Sequence, residues 1–240
     1  MAEGLHVERA EHTLIVTAQR GEENLYTGEM IDALADSVVD AARDDLRFVR
    51  LRARGPVFCV GRERAGKTPL ELRAEAARIV RVNETLRITP LTVIAEVGGD
   101  AAGFGAGLVA SADIAVASAS ARFWFPEILG GLAPSIVISW LSKSVPYKVA
   151  YDLVTTGEPV DAHAARSLGL VTEVADDDAL EQVVDHRIKR LADMSPGAIK
   201  EIKEFFVRTR GLDPGNSAIA SVEALALSAV RNRADKEAGA

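Results

Sequence analysis

Glu127 stands directly after Pro126, between an aromatic strand and a pair of glycines, in a stretch that runs from Glu96 to Leu132. The same stretch carries Gly98, Gly99, Gly103, Gly105 and Gly107, and a second glycine-bearing segment, GPVFCVGRE, lies upstream at Gly55 to Glu63. Glycines crowded in this way bring backbone N–H groups close to a ligand, because a missing Cβ permits tight turns and close approach. The chemistry this suits is proton transfer: each segment supplies a backbone donor to a developing negative charge, and Glu127 moves the proton. An apolar setting beside Phe123 and Phe125 raises a carboxyl's pKa toward working pH, as a proton shuttle requires.

Competing motifs are present. Gly61 to Thr68, GRERAGKT, fits the phosphate-binding pattern G-x-x-x-x-G-K-[ST] after a strand and before a helix, so nucleotide hydrolysis is an alternative. Against it, Pro69 removes an N–H from the first helical turn, Glu63 adds negative charge, and no later strand ends in a magnesium-holding Asp. Glycines 103, 105 and 107 miss the dinucleotide fingerprint, because Leu108 stands where its third glycine belongs. His6, His12, His163 and His186 share no metal-ligand spacing, so no metal is expected.

The elements that must position these residues follow from periodicity. Leu5 to Arg9, Thr13 to Ala18, Phe48 to Ala53, Leu91 to Val97, Asp113 to Ala117, Ala121 to Phe125 and Leu170 to Val174 read as strands. Thr27 caps a helix that runs to Arg43, and Pro69 to Arg87 is a second, with Leu72, Ala76, Ile79, Val80 and Leu86 expected toward the core. Phe104 to Ser111 is a short helix of small residues. The chain then turns mostly helical: Ser135 to Ser142, Pro146 to Thr155, Asp161 to Ser167, Asp178 to Met194, Pro196 to Thr209 and Asn216 to Arg233. The class is α/β with a helical C-terminal part, divided as a core domain over 1–195 and a helical region over 196–240.

With 240 residues the chain is long enough for one large core. A net charge of -7 argues against nucleic-acid partners. Cys59 is the sole cysteine, which excludes an intrachain disulfide and fits a reducing compartment. Neither a leader nor a membrane span is legible, so a cytoplasmic location is expected.

Four blocks in order, GPVFCVGRE, VGGDAAGFGAGLVASADIAVAS, ARFWFPEILGGLAP and LVTTGEPVDAHAARSLGLVTEV, closely resemble signature segments of the crotonase (enoyl-CoA hydratase/isomerase) superfamily, and the match runs from about Leu14 to Phe206. The resemblance implies a spiral core of ββα units, a helical C-terminal trimerisation region and a homotrimer or dimer of trimers. It implies a coenzyme A thioester as substrate and no other cofactor. Carried over by position, the oxyanion donors are the backbone N–H groups of Arg62 and Phe104, with Val60, Gly61, Gly103, Gly105, Phe125 and Ser135 around the substrate.

Of the family's two positions for a catalytic glutamate, one is Glu127 and the other is Gly107. A lone glutamate suits moving a proton between two carbons of one acyl chain, so enoyl-CoA isomerisation is expected first and hydration second. Ser135 stands where dienoyl isomerases carry an additional Asp, which argues against their mechanism. A non-catalytic acyl-CoA binder is the further alternative.

Overall fold

In the computed structural model, residues 2–44, 46–142 and 144–238 are described. The chain divides into two compact units, 1–189 and 190–240.

The first unit is built on two sheets. β1 (Leu5–Ala10) pairs antiparallel with β2 (Thr13–Ala18), and from β2 the sheet continues in parallel through β3 (Phe48–Ala53), β5 (Thr92–Val97), β7 (Ile114–Ser118) and β10 (Glu173–Ala175). β5 is apolar almost throughout because both its faces are covered. The second sheet is made of very short strands: β4 (Val57–Cys59), β6 (Asp100–Ala102), β8 (Arg122–Trp124) and β9 (Val160–Asp161), in that order. Each of β4, β6 and β8 follows a longer strand of the first sheet, so the chain repeatedly leaves one sheet, lays down a few residues of the other and enters a helix.

Helix α2 (Pro69–Ile88) follows β4 and α3 (Phe104–Ser111) follows β6, whereas α1 (Gly28–Ala41) lies earlier, between β2 and β3. Thr27 caps α1 by accepting the Met30 N–H, and Met30, Ile31, Leu34 and Val38 bury its apolar face. Thr68 caps α2 in a reciprocal capping box with Glu71. The buried face of α2 matches the sequence reading only in part: Leu86 is buried as expected, together with Val82 and Asn83, and Ile79 packs against the core, whereas Leu72 and Val80 are each 47% exposed. After a 3-10 helix at Pro126–Gly130 come α4 (Ser135–Leu141), α5 (Tyr147–Thr156), α6 (Ala162–Leu168) and α7 (Leu180–Ala192). In the second unit α8 (Pro196–Thr209) packs against α9 (Pro214–Ala238).

A buried arginine joins β3 to β5 and reaches α7. The Arg50 side chain, on β3, is 6% exposed; its Nε donates to Glu96 on β5 and its Nη1 to Asp185 on α7 at 2.8 Å.

Candidate active site

Three chain turns converge at the ends of the short strands. The first follows β4, where Tyr26 N–H donates to the Gly61 carbonyl at 3.2 Å and Glu63 N–H donates to the Tyr26 carbonyl at 2.9 Å. These two bonds bracket Arg62 in a parallel bridge, so Arg62's own N–H points to the opposite side. Gly61 has φ +151°, which its lack of Cβ allows. The Cys59 thiol donates to the Gly61 carbonyl at 3.1 Å, and burial pushes that thiol's pKa up to about 12, so it serves here as a neutral clasp.

The second turn follows β6. Gly103 has φ +50° and ψ -111°, its N–H donates to the Trp124 carbonyl at 3.0 Å, and α3 begins at the next residue. Phe104 N–H therefore lies in the first turn of a helix, where backbone donors have no intrahelical partner and the dipole favours an anion. Its ring packs on Tyr26 with centroids 5.2 Å apart, so the residues flanking both turns brace each other. Gly105 is dictated by packing: a Cβ there would sit 1.9 Å from the Cys59 carbonyl oxygen. α3 can thus lie against β4 closely enough to bring its first turn beside Arg62.

The third turn is the 3-10 helix after β8, with Pro126 in its first turn. It presents Glu127 toward Gly103, where an added Cβ would lie 3.2 Å from Oε1. Oε2 is buried without a hydrogen-bond partner. Burial pushes the Glu127 carboxyl above the ordinary glutamate range, opposed more weakly by its own backbone N–H and the Arg64 and Arg62 guanidinium groups.

A cavity of about 390 Å³ joins these turns. Val60, Gly61, Arg62, Gly103, Phe104, Glu127 and Ser135, all expected at the site, line it. Gly105 and Phe125 do not: Gly105 packs behind the wall on Cys59, and Phe125 is fully buried in the core, as is Phe123. The sequence reading missed Asn83 and Trp140, which also line the cavity and are nearly buried. Trp140 was not legible as a lining residue, because nothing in a single aromatic says which side of its helix meets a ligand. All four histidines are exposed and none lines the cavity.

The nucleotide-binding reading of Gly61 to Thr68 fails on hydrogen bonding. Glu75 accepts the N–H groups of Ala65 and Gly66, and Glu71 accepts those of Lys67 and Thr68. These bonds hold both carboxyls below the ordinary range, together with the Arg62 guanidinium on Glu75. The donors a phosphate needs are already occupied by carboxylates.

Comparison with known proteins agrees with this geometry. A model of the enoyl-CoA hydratase/isomerase family matches residues 8–239. The human mitochondrial enoyl-CoA hydratase domain-containing protein 3 is 32% identical over 208 residues, covering 85% of this chain and 69% of that protein. The rat form is matched over 66% of its length, so the chain spans about two thirds of such vertebrate relatives. The 1,2-epoxyphenylacetyl-CoA isomerase of Escherichia coli K12 is 30% identical, covering 83% of this chain and 79% of that one. The crystal structure of an enoyl-CoA hydratase from Mycobacterium smegmatis superimposes with a TM-score of 0.90 at 30% identity, covering 95% and 91% of the two chains. With a family model spanning nearly its whole length and two sheets arranged as in these structures, the chain belongs to the enoyl-CoA hydratase/isomerase (crotonase) family.

Proposed function

We propose that the protein forms the enolate of an acyl-CoA thioester in a hole made by the Arg62 and Phe104 backbone N–H groups, and that Glu127 alone carries the proton from one carbon of the acyl chain to another. The observation that carries this reading is the isolation of Glu127: among the described residues it is the cavity's lone carboxyl, one of its oxygens has no hydrogen-bond partner among them, and the other ionisable lining groups are Arg62 and Arg64.

In a 3-enoyl thioester the ionised carboxylate removes a proton from the α carbon, and the electron pair moves onto the thioester oxygen. That charge meets two donors already in place, each worth ~3 to 4 kcal/mol of barrier. The conjugated enolate then takes the same proton back from Glu127 at the γ carbon, giving the 2-enoyl thioester. A carboxyl lifted by burial suits both halves, since it must accept the proton and then return it. The substrate is itself the coenzyme A thioester, so the scheme uses no resident cofactor.

The test is a comparison of two substrates with the purified protein. Conversion of a 3-enoyl-CoA to its conjugated isomer, without addition of water to crotonyl-CoA, is expected. Hydration of crotonyl-CoA as fast as isomerisation contradicts the lone-carboxylate scheme. Thioester binding with neither reaction supports the non-catalytic alternative.

Association of copies belongs to the same proposal. Phe206 on α8 and Ile219, Val222, Leu225 and Leu227 on α9 are each exposed by 68% or more, an apolar load that a homotrimer or dimer of trimers would cover.

A further inference from the structure

Gly107 and Gly103 lie one turn apart on α3, joined by a hydrogen bond from the Gly107 N–H to the Gly103 carbonyl at 2.9 Å, and both line the cavity. A side chain at position 107 therefore enters the cavity from the same wall that Glu127 approaches at Gly103. That room is taken. A Cβ added to Gly107 meets Cζ2 of Trp140 at 3.4 Å and Cη2 at 3.8 Å. A methyl group makes ordinary contact there, so the indole edge borders the space a longer side chain at 107 would have to enter.

Trp140 reaches this point from α4 and is 4% exposed. Its Nε1 is buried and has no hydrogen-bond partner. Burying an indole N–H unpaired costs stability, so the ring is not explained by its own bonding. What the ring does achieve is volume: it fills the space facing Gly107 with carbon.

We propose that Trp140 is a specificity-determining residue, whose indole occupies the place where a second proton acceptor and an attacking water would sit. The inference rests on the enolate reading above and adds a reason for its outcome. Addition of water to a 2-enoyl thioester needs oxygen to bond to the β carbon while a base takes water's proton, and a second proton to reach the α carbon. The guanidinium groups of Arg62 and Arg64, which also line the cavity, offer donors and no acceptor for it. With the indole in place the enolate recovers a proton from Glu127 and from nowhere else, so Trp140 holds the site to substrates whose reaction is an internal proton shift.

The test uses the full chain with Gly107→Glu, Trp140→Ala and the two combined, and two readouts. Deuterium uptake at the α carbon of butyryl-CoA reports the enolate chemistry, and loss of the conjugated thioester absorbance of crotonyl-CoA reports hydration. The expected result is no hydration by the parent or by Gly107→Glu, and a gain on the order of 10-fold or more in the combined variant, within the ~100-fold or more a well-placed base supplies. The proposal is overturned if Gly107→Glu alone hydrates as fast as the combined variant. It is also overturned if the combined variant, folded by circular dichroism and still exchanging, hydrates no faster than the parent. A parent that takes up no deuterium overturns the enolate reading first, whatever the variants do. Should the combined variant not fold, Trp124→Phe leaves Trp140 as the sole tryptophan, and butyryl-CoA must alter its emission; unchanged emission at saturation contradicts an indole beside the acyl group.

Discussion

At the scale of single residues, Glu127 has a pH signature of two parts. Its carboxyl is raised by burial, so the rate of proton transfer rises with pH through a midpoint above the ordinary glutamate value of about 4.3. The stability consequence has the opposite sign. A raised folded-state pKa contributes stability that is complete below the unfolded value and is lost as pH rises through the folded one. Glu127→Gln is therefore expected to melt close to the parent near pH 4 and above it near pH 7, in thermal unfolding followed at both. A difference that shrinks with pH contradicts a desolvated carboxyl. Gly103→Ala tests the neighbouring turn: the new methyl lies 3.2 Å from Oε1 at a backbone angle of φ +50°. It is expected to lower kcat/KM by about 100-fold or more, the scale of one lost oxyanion donor.

At the scale of elements, the site depends on how closely α3 lies on β4. Gly105→Ala places a methyl 1.9 Å from the Cys59 carbonyl oxygen, so the helix must move off the strand and carry the Phe104 N–H with it. We expect kcat to fall by about 100-fold with KM changed far less, because the donor acts most strongly on the transition state. The link to α7 is testable apart from catalysis: Arg50→Ala leaves Glu96 buried without its partner, a loss of about 3 to 5 kcal/mol in denaturant unfolding. Much of this architecture was legible in sequence. Thr27 announced α1, the amphipathic run from Pro69 announced α2, the apolar run to Val97 announced β5, and the small residues after Gly103 announced α3. Of the second sheet only β8 was legible, inside the strand read at Ala121 to Phe125; β4, β6 and β9 were hidden because they span two or three residues, too short to show alternation, although the sheet carries all three turns of the site. The exposed Leu72 misled because α2 borders the cavity, so its apolar residues are not all core; nothing in the structure explains the exposed Val80.

At the scale of the whole molecule, the exposed apolar residues of α8 and α9 lead to an expected oligomer. Light scattering at micromolar concentration should give a multiple of three times 25.6 kDa, and a monomer contradicts the proposed assembly. Charge and composition argued against nucleic-acid partners and excluded an intrachain disulfide but said nothing of the reaction, which we propose resides in one carboxylate and two backbone donors. The central claim, that Glu127 withdraws a proton from a thioester held in that hole, is tested most directly by deuterium uptake from heavy water into a saturated acyl-CoA, followed by mass spectrometry. The parent is expected to exchange the α protons, and Glu127→Gln to bind the thioester equally well while exchanging them at least about 100-fold more slowly. Undiminished exchange in Glu127→Gln contradicts the account.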